Sequence, residues 1–472
     1  MSKMTSNRVV AKSFSWYEPK LGYCVFIGYF ILALTTFTLL KPFLDLLPIS
    51  NLQLSMGTGL NKLVIEDTNS SQPSISGGEL IILKQERKPI CNVSNPKFDF
   101  CDIEGDVRIH GSNSSTILFA ASSQMGTLEG DESWFIKPHP RKYDRNAMKF
   151  IKEFSVKAIV DHEEAPPCTV NHNVPAIVFS IGGYSDNQFH SFSDLLIPLF
   201  TVSAQFHGEV QFLVANFEKD WIIKFQAVLE QLSKYEIIDI DTDDKVRCFP
   251  RMIVGLKFYK DLKIDPLTAS NGYSMKMFRK LLRKAYSLKK STAIKIGPHT
   301  QEKPKLLIIS RKGSRSFMNV DEIAEMAKSL GLEVVVSEAT KNLNEFSLVL
   351  NSCDVMLGVH GAGLTNFVFL PTNAIVIQVL PWGGFEWVGS NCYGKQPTLE
   401  MDLRYLEYKI KVEESSLLQQ YPLDHPVIKD PSSVTNHSWG LFKSVYMDKQ
   451  NVKINVGRFR ATLLEALDLL HY

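Results

Sequence analysis

A glycine-rich run of nine residues gives this 472-residue sequence its clearest sign of a ligand-binding loop. It reads Gly358-Val359-His360-Gly361-Ala362-Gly363-Leu364-Thr365-Asn366 and lies between an apolar, strand-like segment and a short predicted helix. Glycines let a backbone approach a ligand closely, and the free N–H groups at a helix start favour anions such as a diphosphate. Spacing alone leaves open that the loop serves packing and that His360 is a structural residue.

A basic run, Ser310-Arg311-Lys312-Gly313-Ser314-Arg315, follows another strand-like segment in the same half of the chain. Arg311 and Arg315 can each offer a planar pair of N–H donors to phosphate oxygens, although a solvated basic loop is the alternative. Glu338 follows the next strand-like segment, where a carboxylate could accept hydrogen bonds from a ribose or a base. These residues predict a site for a phosphate-bearing ligand.

The elements that must position these loops alternate between strand and helix. In the first half, strand-like runs at 116–119, 176–180, 209–214, 236–240 and 252–256 are separated by helical stretches such as 189–204 and 221–232. In the second half, strands are predicted at 306–310, 333–336, 355–358 and 374–380, with helices at 320–330 and 343–350. Alternation of this kind predicts an α/β fold.

Changes in composition divide the chain into segments. We predict a cytosolic tail over 1–20, a transmembrane signal anchor over 21–40, a lumenal stalk over 41–87, an α/β domain over 88–290, a linker over 291–303, a second α/β domain over 304–450 and a closing helical segment over 451–472. Two α/β halves joined by a linker leave a cleft between them, and open α/β sheets bind ligands beyond the carboxyl ends of their strands.

The predicted anchor fixes the expected topology. Residues 21–40 carry no charged side chain, and a helix of that length spans a bilayer core of about 30 Å. Basic residues dominate before this segment, so the positive-inside rule places the rest of the chain in the secretory lumen; a cleaved signal peptide is the alternative. Six of the seven cysteines follow the segment, which suits an oxidising compartment, with their pairing open. Four glycosylation sequons follow it as well, at Asn69, Asn92, Asn113 and Asn436.

Several classes of protein are disfavoured by what the sequence contains. A net charge of +2 and an ordinary apolar content give no reason to expect a nucleic-acid partner. The sequence has no CxxC pair, Walker A run, HExxH or G-x-S-x-G motif. Overlapping D-x-D patterns at 239–244 could bind a metal, but they lie in the first half, away from the glycine loop. We therefore expect no metal and no required cofactor.

Long segments in a fixed order resemble the plant branch of glycosyltransferase family 61. They read "FSIGGYSDNQFHSFSDLLIPLF", "RCFPRMIVGL", "SRKGSRSFMN", "GVHGAGLTN" and, after "AIVIQVL", the Pro-Trp-Gly at 381–383. The resemblance covers essentially the whole predicted lumenal region. It implies a GT-B type architecture with two Rossmann-like domains facing across a cleft, preceded here by one N-terminal transmembrane helix and a stalk.

The same resemblance implies inverting transfer of a pentose, arabinofuranose or xylose, from a UDP-sugar to a xylan backbone or side chain. The expected location is the Golgi membrane, as a single-pass type II protein held by its anchor. Arg311, Arg315, Glu338 and residues 360–366 would then bind the donor. The alternatives are an N-glycan core beta-1,2-xylosyltransferase and a non-catalytic lumenal glycan-binding protein. A glycoside hydrolase is disfavoured because no carboxylate pair stands out near the glycine loops.

Catalytic candidates come from the first half, which in a GT-B arrangement mainly holds the acceptor. His190 and Asp194 are four residues apart, so both would lie on one face of the predicted helix over 189–204. Inverting transfer needs one base to take the proton of the acceptor hydroxyl, and either residue could serve. The alternative is that both only cap and solvate the helix start. Asp186-Asn187-Gln188 departs from the "GNxxH" pattern common in the family, so acceptor contacts could differ here.

Overall fold

The computed structural model of the chain describes residues 89–111, 115–120, 133–159, 165–338, 342–436 and 438–471. The predicted tail, anchor and stalk lie outside these residues, as do the sequon asparagines Asn69 and Asn113. Among the residues described, no helix is both long and apolar enough to cross a membrane.

Strands between residues 91 and 254 form a mixed sheet. They are β1 (Cys91–Asn92), β2 (Phe100–His110), β3 (Thr116–Ala120), β4 (Ser133–Ile136), β5 (Phe154–Ile159), β6 (Val170–Asn171), β7 (Ala176–Ser180), β8 (Gln211–Ala215), β9 (Ile238–Asp239) and β10 (Val246–Val254). Their order is β4-β5-β3-β2-β10-β7-β8-β9, with β1 beside β2 and β6 beside β10. The run from β10 to β9 is parallel, whereas β2 pairs antiparallel with β1, β3 and β10. The disulfides Cys91–Cys101 and Cys168–Cys248 each end on this sheet.

A second sheet follows and is parallel throughout. Its strands are β11 (Lys305–Ile309), β12 (Glu333–Ser337), β13 (Val355–Val359), β14 (Ile375–Leu380) and β15 (Arg404–Lys409), in the order β12-β11-β13-β14-β15. Strands β13 and β14 are buried along their whole length, and apart from Gln378 of β14 their side chains are apolar, as expected for parallel strands covered on both faces. Because β12 and β13 lie on opposite sides of β11, the order reverses there. Ligands in open α/β sheets bind at such a switch point, beyond the carboxyl ends of the strands.

Helices connect the strands. The α-helices are α1 (Arg145–Met148), α2 (Gln188–His190), α3 (Ile197–Ser203), α4 (Lys219–Leu232), α5 (Met275–Ala285), α6 (Val320–Ser329), α7 (Leu343–Ser352), α8 (Glu386–Tyr393), α9 (Lys395–Glu400), α10 (Pro426–Lys429), α11 (Pro431–Thr435), α12 (Trp439–Phe442) and α13 (Val456–Leu470). Stretches of π-helix cover Ser191–Leu196 and Lys443–Met447. Stretches of 3-10 helix cover Ala204–Phe206, Ser270–Gly272, Ala362–Phe369, Val412–Glu414 and Ser416–Gln419.

One hydrophobic core joins the two sheets. Phe192, in the first π-helical stretch, contacts Phe278 of α5 and Phe369 at the end of the 3-10 helix that follows β13, with ring centroids 6.3 and 5.9 Å apart. The same core contains buried residues of β7, β8, β11, β13 and β14. The helix start that carries His190 and the helix after the glycine loop are therefore held against shared packing.

The predicted mixture of strands and helices is confirmed, and strands β11 to β14 and helices α6 and α7 agree with the predicted ranges to within a few residues. The helix predicted over 189–204 is present, but its turns change from α to π at Ser191. Pro198 has no N–H to donate to the carbonyl of Asp194, and the N–H of Ile197 bonds instead to the carbonyl of Phe192, five residues back.

Candidate active site

The glycine loop and the basic run lie at the switch point of the second sheet. Arg311 comes two residues after the end of β11, and His360 directly follows β13, which is the neighbour of β11 in the sheet. The carboxyl ends of these two parallel strands bring both runs to one edge. The sequence reasoning assigned both runs to one half of the chain, and the strand order gives the physical reason why they meet.

The guanidinium groups of Arg311 and Arg315 lie close to the backbone of Gly361. Its φ of +150° belongs to a region that is essentially restricted to glycine. A Cβ atom at this position would overlap Nη1 of Arg311 and would lie 3.0 Å from Nη1 of Arg315. Arg315 also donates a hydrogen bond from Nη1 to the carbonyl oxygen of His360, at 3.1 Å. Glycine is thus needed here because the backbone and the two arginines approach so closely.

The two arginines form a concentrated positive charge without a carboxylate partner. Among the residues described, neither Arg311 nor Arg315 forms an ion pair, and Nε of Arg315 is buried with no hydrogen-bond acceptor. Burial lowers the pKa of Arg311; burial and then the charge of Arg311 lower the pKa of Arg315 to about 10. Both side chains stay protonated at neutral pH. Buried cations are normally paired, so this pair is suited to an anionic ligand.

His360 is buried beside these arginines and is neutral. Burial, followed by the charges of Arg315 and Arg311, lowers its pKa to about 3. Nε2 of Gln378 lies 3.2 Å from Nδ1 of His360, so the amide donates to this ring nitrogen. The imidazole also packs against the rings of Phe385 and Tyr393, with centroids 5.3 and 5.4 Å apart. These contacts indicate that His360 stabilises the conformation of the glycine loop by packing and hydrogen bonding.

Because His360 is buried and neutral, stability should fall in mild acid. An unfolded histidine takes up a proton near pH 6.5, whereas folded His360 does so only near pH 3, so the free energy of unfolding should decrease as the pH drops below 6.5. Between pH 7.5 and pH 5 this residue should account for a loss of about 2 kcal/mol. Urea unfolding of wild type and His360→Gln at both pH values measures the difference.

Exposed His299 supplies the matched control for this measurement, because His299→Gln removes a histidine from the surface. His299→Gln should keep the pH sensitivity of the wild type. An equal loss of stability in wild type and His360→Gln would contradict a neutral buried imidazole at position 360.

The remaining loop residues have different surroundings. Leu364 and Thr365 are buried, and the Thr365 hydroxyl lies 3.4 Å from the hydroxyl of Tyr393. Asn366 is also buried; its amide donates to the carbonyl of Gly363 at 2.9 Å. Ala362 and Gly363 are half-buried. The loop thus combines a half-buried stretch at Ala362 and Gly363 with buried side chains that anchor the 3-10 helix.

Glu338, the candidate for ribose or base contacts, lies towards solvent. Its side chain is 42% exposed, and its carboxylate pairs with the ammonium group of Lys312 at 2.9 Å. The hydrogen bond from Lys312 lowers the pKa of Glu338. A ligand that reached Glu338 would therefore compete with this surface ion pair.

His190 and Asp194 are in direct contact. Nδ1 of His190 lies 2.8 Å from Oδ2 of Asp194, although the π-helical stretch begins between them. The Asp194 side chain is only 2% exposed, whereas that of His190 is 21% exposed. The imidazole of His190 is therefore partly accessible to solvent, whereas the carboxylate of Asp194 that contacts it is buried. Helix α2 starts at Asn187, whose side chain accepts a hydrogen bond from the N–H of Phe189.

Arg141 is a site residue that sequence reasoning missed. Its guanidinium donates from Nε to Oδ2 of Asp194 and from Nη2 to Oδ1 of Asp261, both at 2.6 Å, and from Nη1 to the Tyr143 hydroxyl at 3.0 Å. Burial opposes the charge of Asp194, but the hydrogen bond from His190 and the charge of Arg141 outweigh it, so the pKa of Asp194 is lowered. The Asp194 carboxylate is therefore ionised.

Two buried acceptor atoms beside this cluster lack partners among the residues described. They are Oδ1 of Asp194 and Nε2 of His139. Nδ1 of His139 lies 3.1 Å from the carbonyl oxygen of Ser180, which can only accept, so the proton resides on Nδ1 and leaves Nε2 as an acceptor. Burial lowers the pKa of His139. Unsatisfied buried acceptors in a native structure are typical of sites that bind water or a ligand hydroxyl.

The two groups of candidates form one site. Phe189 contacts the ring of its neighbour His190 on one side and that of Tyr393 on the other, with centroids 5.2 and 5.6 Å apart. Tyr393 in turn packs against His360. A hydrogen bond of 3.3 Å from Gln188 to Asn366 crosses directly between the two halves of the chain. A series of ring contacts therefore links His190 to His360, whose carbonyl oxygen accepts the hydrogen bond from Arg315.

The acidic run over 239–244 is engaged in local contacts. Asp241 pairs with Lys152 at 3.0 Å and accepts a hydrogen bond from the N–H of Phe217, while Asp243 pairs with Arg247 at 2.7 Å. These carboxylates neutralise neighbouring cations and hold turns. Elsewhere in the described chain, the sequon residues Asn92 and Asn436 are exposed.

The candidate residues of both groups lie in a region that this chain has in common with known proteins. The family model described as "Glycosyltransferase 61" matches residues 189–377, a range that contains His190, Asp194, both arginines and the glycine loop. An alpha-1,3-arabinosyltransferase of Oryza sativa subsp. japonica is 45% identical over 409 residues, which cover 86% of this chain and 69% of the relative.

Two further relatives extend this similarity over most of the chain. A beta-1,2-xylosyltransferase of Oryza sativa subsp. japonica is 42% identical over 392 residues, covering 80% of this chain and 84% of the relative. A xylan glycosyltransferase of Arabidopsis thaliana is 34% identical over 417 residues, covering 85% of this chain and 82% of the relative.

Proposed function

The chain belongs to glycosyltransferase family 61, and we propose on this basis that it transfers a pentose, arabinofuranose or xylose, from a UDP-sugar to xylan. The observation that carries the proposal is the pair of unneutralised arginines at Gly361, buried Arg315 and half-buried Arg311, together with the His190–Asp194 pair. Relatives named as arabinosyl- and xylosyltransferases support a pentose, and the relative named as a xylan glycosyltransferase supports xylan as the acceptor.

His190 is the general base of this mechanism. Ionised Asp194 can only accept a hydrogen bond, so its contact with Nδ1 holds the proton on that nitrogen and leaves Nε2 as the basic atom. Asp194 is a positioning residue, and Arg141 keeps its carboxylate ionised and oriented. Nε2 of His190 takes the proton of the acceptor hydroxyl during the attack.

The donor side supplies the charge stabilisation. The acceptor oxygen forms a bond to the anomeric carbon from one face while the bond from that carbon to the diphosphate oxygen breaks on the other, so the configuration inverts. The leaving UDP carries away the electron pair, and Arg311 and Arg315 stabilise the negative charge that develops on it. The backbone at Gly361 lets the diphosphate approach both guanidinium groups.

A GT-B arrangement fits this division of work. The parallel second sheet, with its switch point at β11, would hold the donor, and the first sheet with helix α2 would hold the acceptor. The hydrogen bond from Gln188 to Asn366 lies where two such halves would face each other. These features support the two-domain assignment proposed for residues 88–290 and 304–450.

We also propose that the protein works in the Golgi lumen as a single-pass type II membrane protein, with the uncharged segment over 21–40 as its anchor. The two disulfides suit an oxidising compartment. Exposure of Asn436 is compatible with N-glycosylation at its sequon.

Catalysis should be independent of divalent cations, because the two arginines supply the charge that a donor-bound metal would otherwise provide. We expect EDTA to leave the initial rate of UDP release unchanged. Loss of activity in EDTA, restored by added Mn²⁺ or Mg²⁺, would contradict this assignment.

A donor and acceptor screen tests the proposed function. The full chain, solubilised in detergent, is incubated with UDP-arabinofuranose or UDP-xylose and with xylo-oligosaccharides, and UDP release and product mass are followed. Acceptor-dependent UDP release with a mass gain of one pentose is expected. Binding of UDP without transfer to any acceptor would instead indicate a non-catalytic glycan-binding protein, and transfer only to N-glycans would remove xylan as the acceptor.

Substituting glycines within the loop tests the donor site with a matched pair. Gly361→Ala places a methyl group against Arg311 and Arg315, so it should weaken UDP binding by about 10- to 100-fold, the value of one or two charge-assisted hydrogen bonds. At Gly363 a Cβ atom meets only Ile309 at an ordinary 3.6 Å, so Gly363→Ala should have a much smaller effect. Calorimetric titration with UDP measures both; equal affinities would contradict the placement of the diphosphate.

A further inference from the structure

We propose that a large groove beside the catalytic pair holds the acceptor as an extended, uncharged polysaccharide chain with several sugar residues bound at once; this rests on the proposed function. The groove, called here the acceptor groove, is lined by residues from 89–104, 257–268 and helix α9. Its volume of about 1280 Å³ exceeds the range of roughly 300–1,000 Å³ that suits a single small ligand. It can therefore take several sugars in a row.

The acceptor groove adjoins the catalytic pair through one layer of side chains. Phe258 and Lys260 line the groove, and Asp261, the next residue, accepts the hydrogen bond from Arg141. The guanidinium carbon of Arg141 lies 5.4 Å from the centroid of the Phe258 ring, while the same guanidinium holds Asp194. Arg141 therefore contacts both Phe258 in the wall of the groove and the carboxylate that orients His190. A chain in the groove would therefore lie one side-chain layer from the carboxylate that orients His190.

The chemistry of the lining fits a neutral carbohydrate. Aromatic rings, among them the half-buried Phe98, Phe100 and Tyr259, offer apolar surface to the C–H faces of sugars, and polar side chains lie between them. Four lysines line the groove, namely Lys97, Lys257, Lys260 and Lys263. Four carboxylates balance them, namely Asp102, Glu104, Asp265 and Glu400. This balance contrasts with the unneutralised arginines of the donor side, so the two sites select ligands of different charge.

The groove also bridges the two halves of the chain. Lys263, in the segment over 257–268, lies 3.7 Å from Glu400 at the end of α9, and both residues line the groove. Helix α9 follows α8, whose last residue is Tyr393, the aromatic neighbour of His360. A polysaccharide bound here would contact both halves next to the donor loop.

Acceptor length is the variable that tests this groove. For the full chain, KM should fall by about tenfold between a xylobiose-sized acceptor and an oligosaccharide of six or more residues, since one added subsite contact is worth about that factor. Gln396→Trp and Thr268→Trp each place an indole at an exposed position of the lining. Each should reduce the ratio of the two KM values to about 1–3, because only the long acceptor needs the groove.

Leu267→Trp is the matched control. Leu267 is 95% exposed and adjoins Thr268 but does not line the groove, so the same indole there should preserve the wild-type KM ratio. Equal KM values for short and long acceptors in the wild type, or an unchanged ratio in both groove variants, would overturn the proposal while transfer to xylan still stands. Absence of transfer to any xylo-oligosaccharide would instead overturn the proposed function on which the groove depends.

Discussion

Replacing His190 with alanine is expected to lower kcat by about 10²- to 10⁴-fold, the usual contribution of a general base. The side chain is partly exposed and packs at the edge of Phe189 and Tyr184, so its removal should leave the fold intact. The affinity for UDP should change little, because the proposed diphosphate site at Arg311 and Arg315 does not include His190. Single-turnover rates with saturating donor and acceptor measure the effect.

Two further variants distinguish the base from the residue that positions it. They are Asp194→Asn and the double variant that combines Asp194→Asn with His190→Ala. Asp194→Asn should also lower kcat strongly, because an amide no longer fixes the proton on Nδ1 of His190. If Asp194 acts through His190, the double variant should be about as slow as His190→Ala alone. Independent, multiplying losses would contradict the dyad. His299→Ala, on an exposed loop, serves as the control for histidine removal.

Replacing Arg311 with alanine should lower kcat/KM for the UDP-sugar by about 10²- to 10³-fold, as expected when one donor to a developing charge is removed. Arg311 makes no ion pair among the described residues, so its loss should not leave a buried carboxylate uncompensated. Arg311→Lys should fall between alanine and wild type, because an ammonium keeps the charge but not the planar pair of donors.

Lys312 provides the control for the arginine substitution. It is the next residue along the chain, but its ammonium group points to solvent and pairs with Glu338. Lys312→Ala should therefore leave kcat/KM within about twofold of wild type, the scale of a surface ion pair. Wild-type rates in Arg311→Ala would contradict the donor site proposed for the 310–315 and 358–366 runs.

Local sequence signals predicted the parts of the site that depend on spacing along the chain. The glycine loop could be predicted because its glycines follow an apolar strand and precede the start of a helix. This pattern is local in the sequence. The contact between His190 and Asp194 followed from their separation of four residues on a helix. In both cases the relevant geometry is set within a few residues, so no knowledge of long-range packing was needed.

Long-range contacts explain what the sequence did not predict. Arg141 reaches Asp194 across 53 positions, and Tyr393 meets the site from helix α8. Arg279 stands among basic residues in the sequence, yet it is buried and donates to carbonyls at the end of the 3-10 helix that follows the glycine loop. The sequence carried only weak signals for these residues. An isolated charged or aromatic side chain can be assigned to a site only once the fold shows which residues it contacts.

The anomeric configuration of the product shows whether the transfer is inverting. Full-length protein is incubated with UDP-α-xylose and a xylo-oligosaccharide, and with UDP-β-arabinofuranose in parallel, while the anomeric protons of the new linkage are followed by NMR. A single base at His190 facing a diphosphate held by Arg311 and Arg315 predicts inversion, with a β-xyloside or an α-arabinofuranoside as the initial product. A retained configuration, or no pentoside from either donor, would contradict the account.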